Sequence, residues 1–454
     1  MSDLTVEELR RDFSVFDAAR ERGESVFLRT PEEDLTYTEV ARLVADRIAS
    51  FERPAPGRPH VLVARNDLAS IVEILACLEL EVPLVLLHPG LTELEQKALR
   101  EEIAAKRDPL PEGAAVVVFT SGTTGRAKPA VLTRRALAES ARSSDANIGL
   151  APGDVWLLSI SPARIGGFSI LTRSLRARSA VALGGHFSPE GFLSEVESMK
   201  VTLASIVPTM LVQILKTFPE RKAPATLRAL LLGGASASDA WLARARAATW
   251  PVIATYGMTE TASNVTTTPY AERYSGVVGS GRVNKFAEVR VENGHILVRG
   301  PMRMTGYWGE PPLVPEAWHD TGDIGYFDEA GYLHVEARRS DLILSGGNNV
   351  YPLEVEAALE SLPGIREALV TGLPDDVWGA VVTALLVPEK GPLPPEAIVE
   401  GLSGRLAAYK SPRRIAWVEA LPVNPGGKLR RRPDVLEGLR LETLHYRKRR
   451  RDQE

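Results

Sequence analysis

A run of β-branched and aromatic residues, Val116 to Phe119, stops abruptly in a loop of small and hydroxyl-bearing residues. Because strands that are covered on both faces read as continuous apolar sequence, the run predicts a buried strand. The loop offers hydroxyl groups, two cations, and two glycines that let backbone N–H groups approach a ligand, a combination typical of a triphosphate cradle. Its residues are Thr120, Ser121, Gly122, Thr123, Thr124, Gly125, Arg126 and Lys128. The chain lacks the Walker A pattern G-x-x-x-x-G-K-[ST], which disfavours an ordinary kinase or ATPase, and a plain polar strand-to-helix connection remains the alternative.

The composition limits the kind of protein that can carry this loop. At 454 residues the chain exceeds one ordinary hydrophobic core, so two or more domains of the α/β kind are expected. A hydrophobic content of 44% and a charged content of 25% are typical of a soluble globular protein. The net charge of −4 gives no general reason to expect nucleic-acid binding. The N-terminal segment has no apolar signal core, and no apolar stretch reaches the roughly 20 residues of a membrane span, so we expect a cytoplasmic enzyme.

The residues that most often bind metals give little sign of a site. The single cysteine, Cys77, lies in an apolar stretch and is expected to be a buried packing residue, which excludes an internal disulfide and a thiolate zinc cluster. The seven histidines are scattered without the spacing of metal ligands, and none is proposed as one.

Alternating strand and helix patterns predict a largely parallel sheet covered by helices. HVLVARND and VPLVLLHPGL read as strands that flank a helix around Ile71 to Leu80. The charged, proline-bearing segment from Arg100 to Glu112 predicts a surface connection. Thr133 is well situated to cap the helix that follows it.

Two later stretches combine the end of a strand with groups that suit a nucleotide. A strand at Leu230 to Leu232 ends in Gly233, Gly234 and Ala235, which either form a tight turn or let a flat adenine ring lie against bare backbone. In the second stretch, TYGMTET follows a strand and contains Glu260. A triphosphate brings a divalent cation, and Mg²⁺ prefers oxygen ligands with one or two protein carboxylates among them. Glu260 is therefore the candidate metal ligand.

Four motifs occur in an order that resembles a known family. TSGTTGRAK, LLLGGASAS, TYGMTETAS and the segment from His319 to Leu359 resemble the signatures of the adenylate-forming superfamily of acyl- and aryl-CoA synthetases, firefly luciferase and peptide-synthetase adenylation domains. The resemblance runs from about Leu35 to about Arg432. It implies an α/β fold with a large multi-sheet N-terminal domain, residues 1–338, that holds the ATP and acyl-substrate sites. A small mobile α+β C-terminal domain, residues 339–454, is expected to carry the catalytic lysine and the loop for the CoA step.

The resemblance implies nucleotide-binding roles in both domains. Lys428 matches the catalytic lysine of the family, and Lys128 and Glu260 complete the catalytic set. Asp323 resembles the acid that accepts both ribose hydroxyls, Arg338 matches an arginine that also reaches the ribose, and Ser340 falls at the interdomain hinge. The other implied ATP or AMP contacts are Thr120, Ser121, Gly122, Thr123, Thr124, Gly125, Gly233, Gly234, Ala235, Thr255, Tyr256, Gly257, Met258 and Thr259.

The acyl pocket is implied in SPARIGGFS and in a proline turn further along the chain. Its residues are Arg164, Gly166, Gly167, Phe168, Ser169, Arg173 and Pro208. Family members commonly carry a histidine where this chain has Arg164. Because an unpaired guanidinium in an apolar pocket costs several kcal/mol, an anion from the protein or from the substrate is expected beside it. Arg173 is the second candidate for holding a substrate anion, and a solvent-facing Arg164 remains an alternative.

The CoA site is implied in the C-terminal domain. Ser345, Gly346 and Gly347 form a loop that resembles the wall of the pantetheine tunnel, and Trp378 and Tyr409 match positions near the CoA nucleotide. For Trp378, an exposed stacking platform and an ordinary core tryptophan are equally open.

Together these parts predict an acid:CoA ligase that acts through an acyl-adenylate and uses ATP, Mg²⁺ and coenzyme A. Within the superfamily the motifs most resemble the ligases that activate 2-succinylbenzoate in menaquinone biosynthesis. Another aryl or acyl acid, or a carrier-protein thiol in place of CoA, remains open. So do an inactive nucleotide-binding relative and a non-enzymatic scaffold, although Lys428 and Glu260 are both present. The expected partners are small molecules, without nucleic acid or a membrane span, and a homodimer is left open.

Overall fold

Two compact units are distinguished within the chain. The computed structural model describes residues 4–120, 128–234, 239–276, 279–338, 341–345, 348–375, 378–403, 405–406, 409–424 and 429–446. The first unit consists of Met1–Arg290, Leu297–His319 and Phe327–Leu333. The second consists of Val291–Ile296, Asp320–Tyr326 and His334–Glu454, so it includes two segments that precede the predicted border at residues 338 and 339. That border stays a prediction.

Helices and strands alternate along much of the chain. The helices are α1 Val6–Asp12, α2 Val15–Arg22, α3 Tyr37–Ala49, α4 Leu68–Glu79, α5 Glu93–Ala105, α6 Arg134–Ile148, α7 Ile165–Ala177, α8 Pro189–Ser198, α9 Pro208–Thr217, α10 Asp239–Ala247, α11 Pro352–Glu360 and α12 Pro395–Leu402. The strands are β1 Val26–Arg29, β2 Asp34–Thr36, β3 His60–Val63, β4 Leu84–Leu87, β5 Ala114–Thr120, β6 Lys128–Thr133, β7 Val155–Leu158, β8 Ala180–Leu183, β9 Leu203–Ile206, β10 Ala229–Leu232, β11 Val252–Met258, β12 Ser263–Thr267, β13 Arg282–Val283, β14 Glu288–Glu292, β15 His295–Arg299, β16 Gly306–Tyr307, β17 His319–Phe327, β18 Leu333–Arg338, β19 Ile343–Ser345, β20 Asn348–Val350, β21 Ile365–Asp375, β22 Gly379–Pro388, β23 Arg414–Trp417 and β24 Glu442–Thr443. No helix in the described part of the chain is long and apolar enough to cross a membrane.

Two largely parallel sheets organise the first unit. The larger has the strand order β13-β12-β11-β10-β9-β7-β8-β1-β2, and its strands from β11 to β1 run parallel. The smaller has the order β16-β6-β5-β4-β3, in which β3, β4 and β5 are parallel. The central strands β4, β7, β8, β9 and β10 are largely apolar and buried along their whole length, because helices cover the faces of parallel sheets. The predicted strand-helix-strand arrangement of β3, α4 and β4 is confirmed.

The second unit is built on a mixed sheet, in which β22 and β23 are parallel and the other strand pairs are antiparallel. Its strand order is β20-β19-β22-β23-β24, with β21 also paired to β22. Helix α11 begins at Pro352 and packs against β21 through Val355 and Leu359, which are fully buried. A further four-stranded sheet has the order β14-β15-β17-β18. The predicted fold class, a multi-sheet α/β domain followed by a smaller α+β domain, is confirmed.

Local signals set several boundaries as expected, and one prediction is wrong. Thr133 caps α6, because its hydroxyl oxygen accepts the N–H of Ala136 at 3.1 Å. The segment from Arg100 to Glu112 is not wholly a surface connection, since α5 continues to Ala105. Only Ile103 of that helix is buried, which is why the sequence lacks a clear apolar stripe.

Candidate active site

Four neighbouring parallel strands of the large sheet end at one edge, and each leads into residues with a predicted ligand role. Strand β11 ends in Thr255 to Met258, and β10 is followed by Gly233. Strand β9 leads to Pro208 at the first turn of α9, and β7 leads to Arg164. Ligands of parallel α/β sheets bind in the crevice outside the carboxyl ends of the strands. The fold therefore gathers the predicted nucleotide and acyl motifs at the edge where a ligand is expected.

The phosphate-loop motif connects two strands of the smaller sheet. Thr120 ends β5, Lys128 begins β6, and the two residues lie opposite each other in an antiparallel pair. The strand-to-helix alternative is therefore wrong, since a strand stands at each end of the loop. The loop residues themselves, 121–127, lie outside the described residues.

Glu260 is presented by a tight turn directly after β11. The turn is a single 3₁₀ turn, Thr259–Thr261, and the Glu260 side chain is only 8% exposed. The N–H of Met258 donates to the hydroxyl oxygen of Thr261 (3.2 Å), and the N–H of Met304 donates to the carbonyl oxygen of Glu260 (2.8 Å). These contacts fix the direction in which the carboxylate leaves the backbone.

The backbone around this turn is tightly constrained. A Cβ at Gly257 would lie 2.0 Å from the carbonyl oxygen of Ser263, so only glycine fits there. Ala262 and Ser263 have φ angles of 50° and 124°, which are strained for residues with side chains. The Ser140 hydroxyl donates to the carbonyl oxygen of Ala262 (2.8 Å). Such strain persists only where surrounding contacts hold it, and it is typical of functional sites.

The glycine pair after β10 has a packing requirement of its own. A Cβ at Gly233 would lie 2.4 Å from the hydroxyl oxygen of Thr255, and Gly234 has a φ of 84°. Packing and the turn therefore account for both glycines without a nucleotide. Their adenine-facing role, like that of the half-buried Tyr256, stays a prediction.

One tyrosine that the motifs did not indicate joins two predicted catalytic residues. The hydroxyl of Tyr307 donates to Oε1 of Glu260 at 2.8 Å. The ammonium nitrogen of Lys128 lies 4.6 Å from the centre of the same ring, and it also contacts Oε1 of Glu310 at 3.1 Å. The predicted metal ligand and the phosphate-loop lysine are thus brought together around Tyr307.

Arg164 stands directly before α7 with a half-buried side chain. Its Nε is buried without a hydrogen-bond partner, and no described carboxylate forms an ion pair with it. Burial lowers the pKa of Arg164 from its usual value. Burial, helped by the positive charge of Arg164, also lowers the pKa of His88 to about 4, so this imidazole is neutral at pH 7. With a buried Nε that has no partner and no described carboxylate to neutralise it, the Arg164 guanidinium has unmet capacity for an anion.

The second candidate arginine, Arg173, is buried in the protein interior. Arg173 is 4% exposed, and its Nη2 donates to Oδ1 of Asn264 at 2.6 Å. Burial lowers its pKa to about 10. Arg173 lies nine residues beyond Arg164, which corresponds to about 13 Å along a helix. Because Arg173 is buried and bonded to Asn264, Arg164 is the more accessible candidate for holding a substrate carboxylate.

The first turn of α7 contains both buried and open positions. A Cβ at Gly167 would lie 2.3 Å from the carbonyl oxygen of Ser161, whereas the nearest atom to a Cβ at Gly166 is 3.8 Å away. Phe168 and Ser169 are buried, and the Ser169 hydroxyl donates to the carbonyl oxygen of Gly166 (3.0 Å). Gly166 is therefore the glycine of this turn with space for a ligand.

The predicted ribose-binding residues belong to the second unit. Asp323 lies on β17 and is 8% exposed, and its N–H donates to the hydroxyl oxygen of Thr321 (3.1 Å). Arg338 is the last residue of β18. Their roles stay predictions.

Part of the predicted CoA site is described. Ser345 is buried and lies opposite Gly379 in the pairing of β19 with β22. Trp378 is 37% exposed, with the guanidinium of Arg413 lying 4.2 Å from the centre of its ring, so the core alternative for Trp378 is wrong. Tyr409 is 40% exposed. Other predicted residues lie outside the described residues, namely Ser121, Gly122, Thr123, Thr124, Gly125, Ala235, Ser340, Gly346, Gly347 and Lys428.

One cluster elsewhere resembles a metal site in composition only. Ligand atoms of His60, Glu73 and Cys77 lie within 4.8 Å of one another. Arg47 already forms a two-point ion pair with Glu73, and burial raises the pKa of the Cys77 thiol to about 12. Cys77 is fully buried, as predicted.

The motifs, the two-part fold and the geometry around Glu260 are those of an enzyme that binds a nucleotide and uses it to activate a substrate. Residues 93–308 match the AMP-binding enzyme family, and residues 354–428 match the AMP-binding enzyme C-terminal domain. The chain belongs to the AMP-binding enzyme family, as the motifs predicted.

Relatives with assigned names show which members of this enzyme family the chain is similar to. The chain is 35% identical to a 2-succinylbenzoate–CoA ligase of Bacillus licheniformis over 444 residues, which cover 86% of this chain and 92% of that protein. A Listeria monocytogenes protein of the same name is 38% identical over 346 residues, 75% of this chain and 72% of that protein. Among solved structures, the o-succinylbenzoate CoA synthetase (MenE) of Bacillus subtilis with the acyl-adenylate OSB-AMP matches with a TM-score of 0.81 and 28% identity, covering 95% of this chain and 98% of that chain.

Sequence reasoning missed the residues that support the predicted ones. Tyr307 and His88 carry no motif signal, although each directly follows or ends a strand of the smaller sheet. Asn264 follows TYGMTETAS directly, and its partner Arg173 lies 91 residues earlier. Only the folded arrangement identifies these three.

Proposed function

We propose that this protein is an ATP-dependent acid:CoA ligase that converts 2-succinylbenzoate into its CoA thioester through an acyl-adenylate. Its relatives are named as 2-succinylbenzoate–CoA ligases, and a similar solved structure, MenE of Bacillus subtilis, is a complex with ATP and a magnesium ion. A cytoplasmic reaction is proposed, because ATP and CoA are intracellular metabolites.

The residues around Glu260 suit the first half-reaction. A substrate carboxylate must attack the α-phosphorus of ATP, which brings two anions together. Lys128 supplies a cation beside the phosphate loop, and the oxygen atoms of Glu260 suit Mg²⁺, which prefers oxygen ligands and neutralises phosphate charge when bound. Lys428 is proposed to stabilise the charge on the reacting phosphorus. The products of this step are acyl-AMP and pyrophosphate.

The second half-reaction is assigned to the C-terminal domain, proposed as residues 339–454 with a hinge at Ser340. Movement of this domain is proposed to withdraw Lys428 and bring the loop of Ser345, Gly346 and Gly347 to the acyl-adenylate. The CoA thiol then loses its proton and attacks the carbonyl, the bond to the phosphate oxygen breaks, and the CoA thioester and AMP are the products. Exposed Trp378, with Arg413 against its ring, suits a nucleotide base at the outer end of CoA.

The observation that carries the choice of acid is the state of Arg164. Its guanidinium is half-buried, has a buried Nε without a partner and is not neutralised by a described carboxylate. 2-Succinylbenzoate has two carboxylates, so one reacts while the ring carboxylate stays charged and must be held. A guanidinium matches a carboxylate with two parallel hydrogen bonds.

The test compares 2-succinylbenzoate with an analogue that lacks the ring carboxylate. Pyrophosphate release is measured for the wild type, Arg164→Ala and the charge-preserving Arg164→Lys. The wild type should favour the diacid about thirtyfold in kcat/KM, equivalent to about 2 kcal/mol. Arg164→Ala should lose most of that preference, and Arg164→Lys should keep part of it.

Two results would oppose the proposal in different ways. An undiminished preference in Arg164→Ala removes Arg164 from the site. The absence of a preference in the wild type removes 2-succinylbenzoate as the substrate.

A further inference from the structure

The hydroxyl and the ring of Tyr307 serve two different charged groups. The hydroxyl donates to Oε1 of Glu260 (2.8 Å), while the ring lies against the ammonium of Lys128 (4.6 Å to its centre). Strand pairing explains this arrangement, because Tyr307 of β16 lies opposite Ala130 of β6, two residues from Lys128. Residues two apart on a strand share a face, and diagonal neighbours across a strand pair are within reach of long side chains.

The two oxygen atoms of the Glu260 carboxylate differ in their contacts. Oε1 is occupied by the Tyr307 hydroxyl, whereas Oε2 forms no hydrogen bond with any residue that the structure describes. The side chain is 8% exposed, so it cannot turn freely in solvent. A carboxylate held at one oxygen and open at the other is oriented to give a metal a single ligand atom.

Lys128 has one partner that a phosphate can replace and one that it cannot. Its ion pair with Glu310 joins side chains that are 40% and 50% exposed, and such surface pairs are weak. A triphosphate can take the place of Glu310. The ring of Tyr307 is fixed in β16 and can remain against the ammonium when the phosphate binds.

We propose that Tyr307 is a positioning residue for Mg·ATP, which directs Oε2 of Glu260 toward the metal and holds Lys128 beside the same phosphates. This inference rests on the proposed function, because it requires that the site receive Mg·ATP. It assigns separate tasks to the two parts of one side chain. The hydroxyl acts through the metal ligand, and the ring acts through the lysine.

The test uses Tyr307→Phe, which keeps the ring, and Tyr307→Leu, which removes both parts. Tyr274→Phe is the matched control, since Tyr274 is exposed and lies against Arg273 outside this site. ATP binding to the full-length protein is measured by calorimetry without the acid substrate, once with Mg²⁺ and once with EDTA. Thermal melts establish that each variant is folded.

Tyr307→Phe should bind ATP about tenfold more weakly than the wild type in Mg²⁺ and equally well in EDTA, because only the metal ligand has lost its hydrogen bond. Tyr307→Leu should be weaker in both buffers, because Lys128 has also lost its support. The same Tyr307→Phe variant should need more Mg²⁺ for half-maximal pyrophosphate release, and Tyr274→Phe should match the wild type throughout.

Each contrary result has a distinct meaning. Equal weakening of Tyr307→Phe in Mg²⁺ and EDTA, or none in either, overturns the inference about Tyr307. Failure of the wild type to bind ATP in either buffer overturns the proposed function instead.

Discussion

The second unit contains a buried ion pair whose contribution to stability can be tested by removing only its cation. Nη2 of Arg431 lies 2.6 Å from Oε2 of Glu356, and Oε1 of Glu356 also accepts the N–H of Val370 at 2.7 Å. The two side chains are 18% and 7% exposed. Burial raises the pKa of Glu356 although Arg431 and the N–H of Val370 oppose that shift. The free-energy cost of burying the charged carboxylate therefore exceeds the stabilisation that its partners provide.

The substitution Arg431→Met leaves Glu356 buried without its cation, so the folded protein is expected to protonate it. Glu356 has a usual pKa of 4.5. Keeping it protonated at pH 7 costs about 3 kcal/mol, because each pH unit above the unfolded pKa costs about 1.4 kcal/mol. A carboxyl whose folded-state pKa is raised stabilises the protein below its unfolded pKa and loses that contribution as the pH rises. Because the pKa of Glu356 is already raised in the wild type, which therefore carries part of this cost, Arg431→Met should lose up to about 3 kcal/mol at pH 7 and under 1 kcal/mol at pH 5.

The assay is hydrogen exchange of the β21 and β22 amides, corrected for intrinsic exchange rates at each pH. The double variant Arg431→Met with Glu356→Gln should be much less destabilised at pH 7 and nearly independent of pH. The matched control is Glu354→Gln on the same helix as Glu356, which breaks the ion pair of Glu354 with Lys410 near the surface and should cost under about 1 kcal/mol. An equal loss for Arg431→Met at pH 5 and pH 7 would refute the reasoning.

Three further predictions concern the mechanism and acid stability. Lys428→Ala should abolish adenylate formation but largely spare thioester formation from a supplied acyl-adenylate, because only the first step brings an anion to a phosphate; equal loss in both assays would make Lys428 structural. Ser340→Pro, which fixes φ near −65°, should slow the CoA step more than adenylation in single-turnover experiments, and the reverse order would remove the hinge assignment. The ion pair with Arg178 lowers the pKa of Glu21 to about 2. This lowered pKa stabilises the fold above pH 4.5 by about 1–2 kcal/mol after allowance for solvent, and the contribution is lost as the pH falls toward 2. Glu21→Gln should therefore flatten acid unfolding between these pH values, and an unchanged slope would contradict the assignment.

The sequence by itself determined the features that depend on neighbouring residues. The apolar run at Val116 predicted β5, and Thr133 predicted the start of α6. The order of the four motifs identified the family. These signals are local, since a cap or a run of β-branched residues acts within a few positions. Where the local signal was weak, the prediction was wrong. Helix α5 is mostly exposed and charged, so its sequence did not indicate that the helix continues to Ala105.

Only the tertiary structure decided which side chains support the site. Tyr307 and Glu260 are 47 residues apart, and nothing near either one indicates that a phenol meets the carboxylate. The positive charge of Arg164 lowers the pKa of His88, although Arg164 follows β7 and His88 follows β4, a strand of the other sheet. The exposure of Trp378 likewise depends on what surrounds it in the folded unit. Hydrogen bonding, charge and burial depend on distance in space, and strand pairing brings together residues whose separation along the sequence carries no information about that distance.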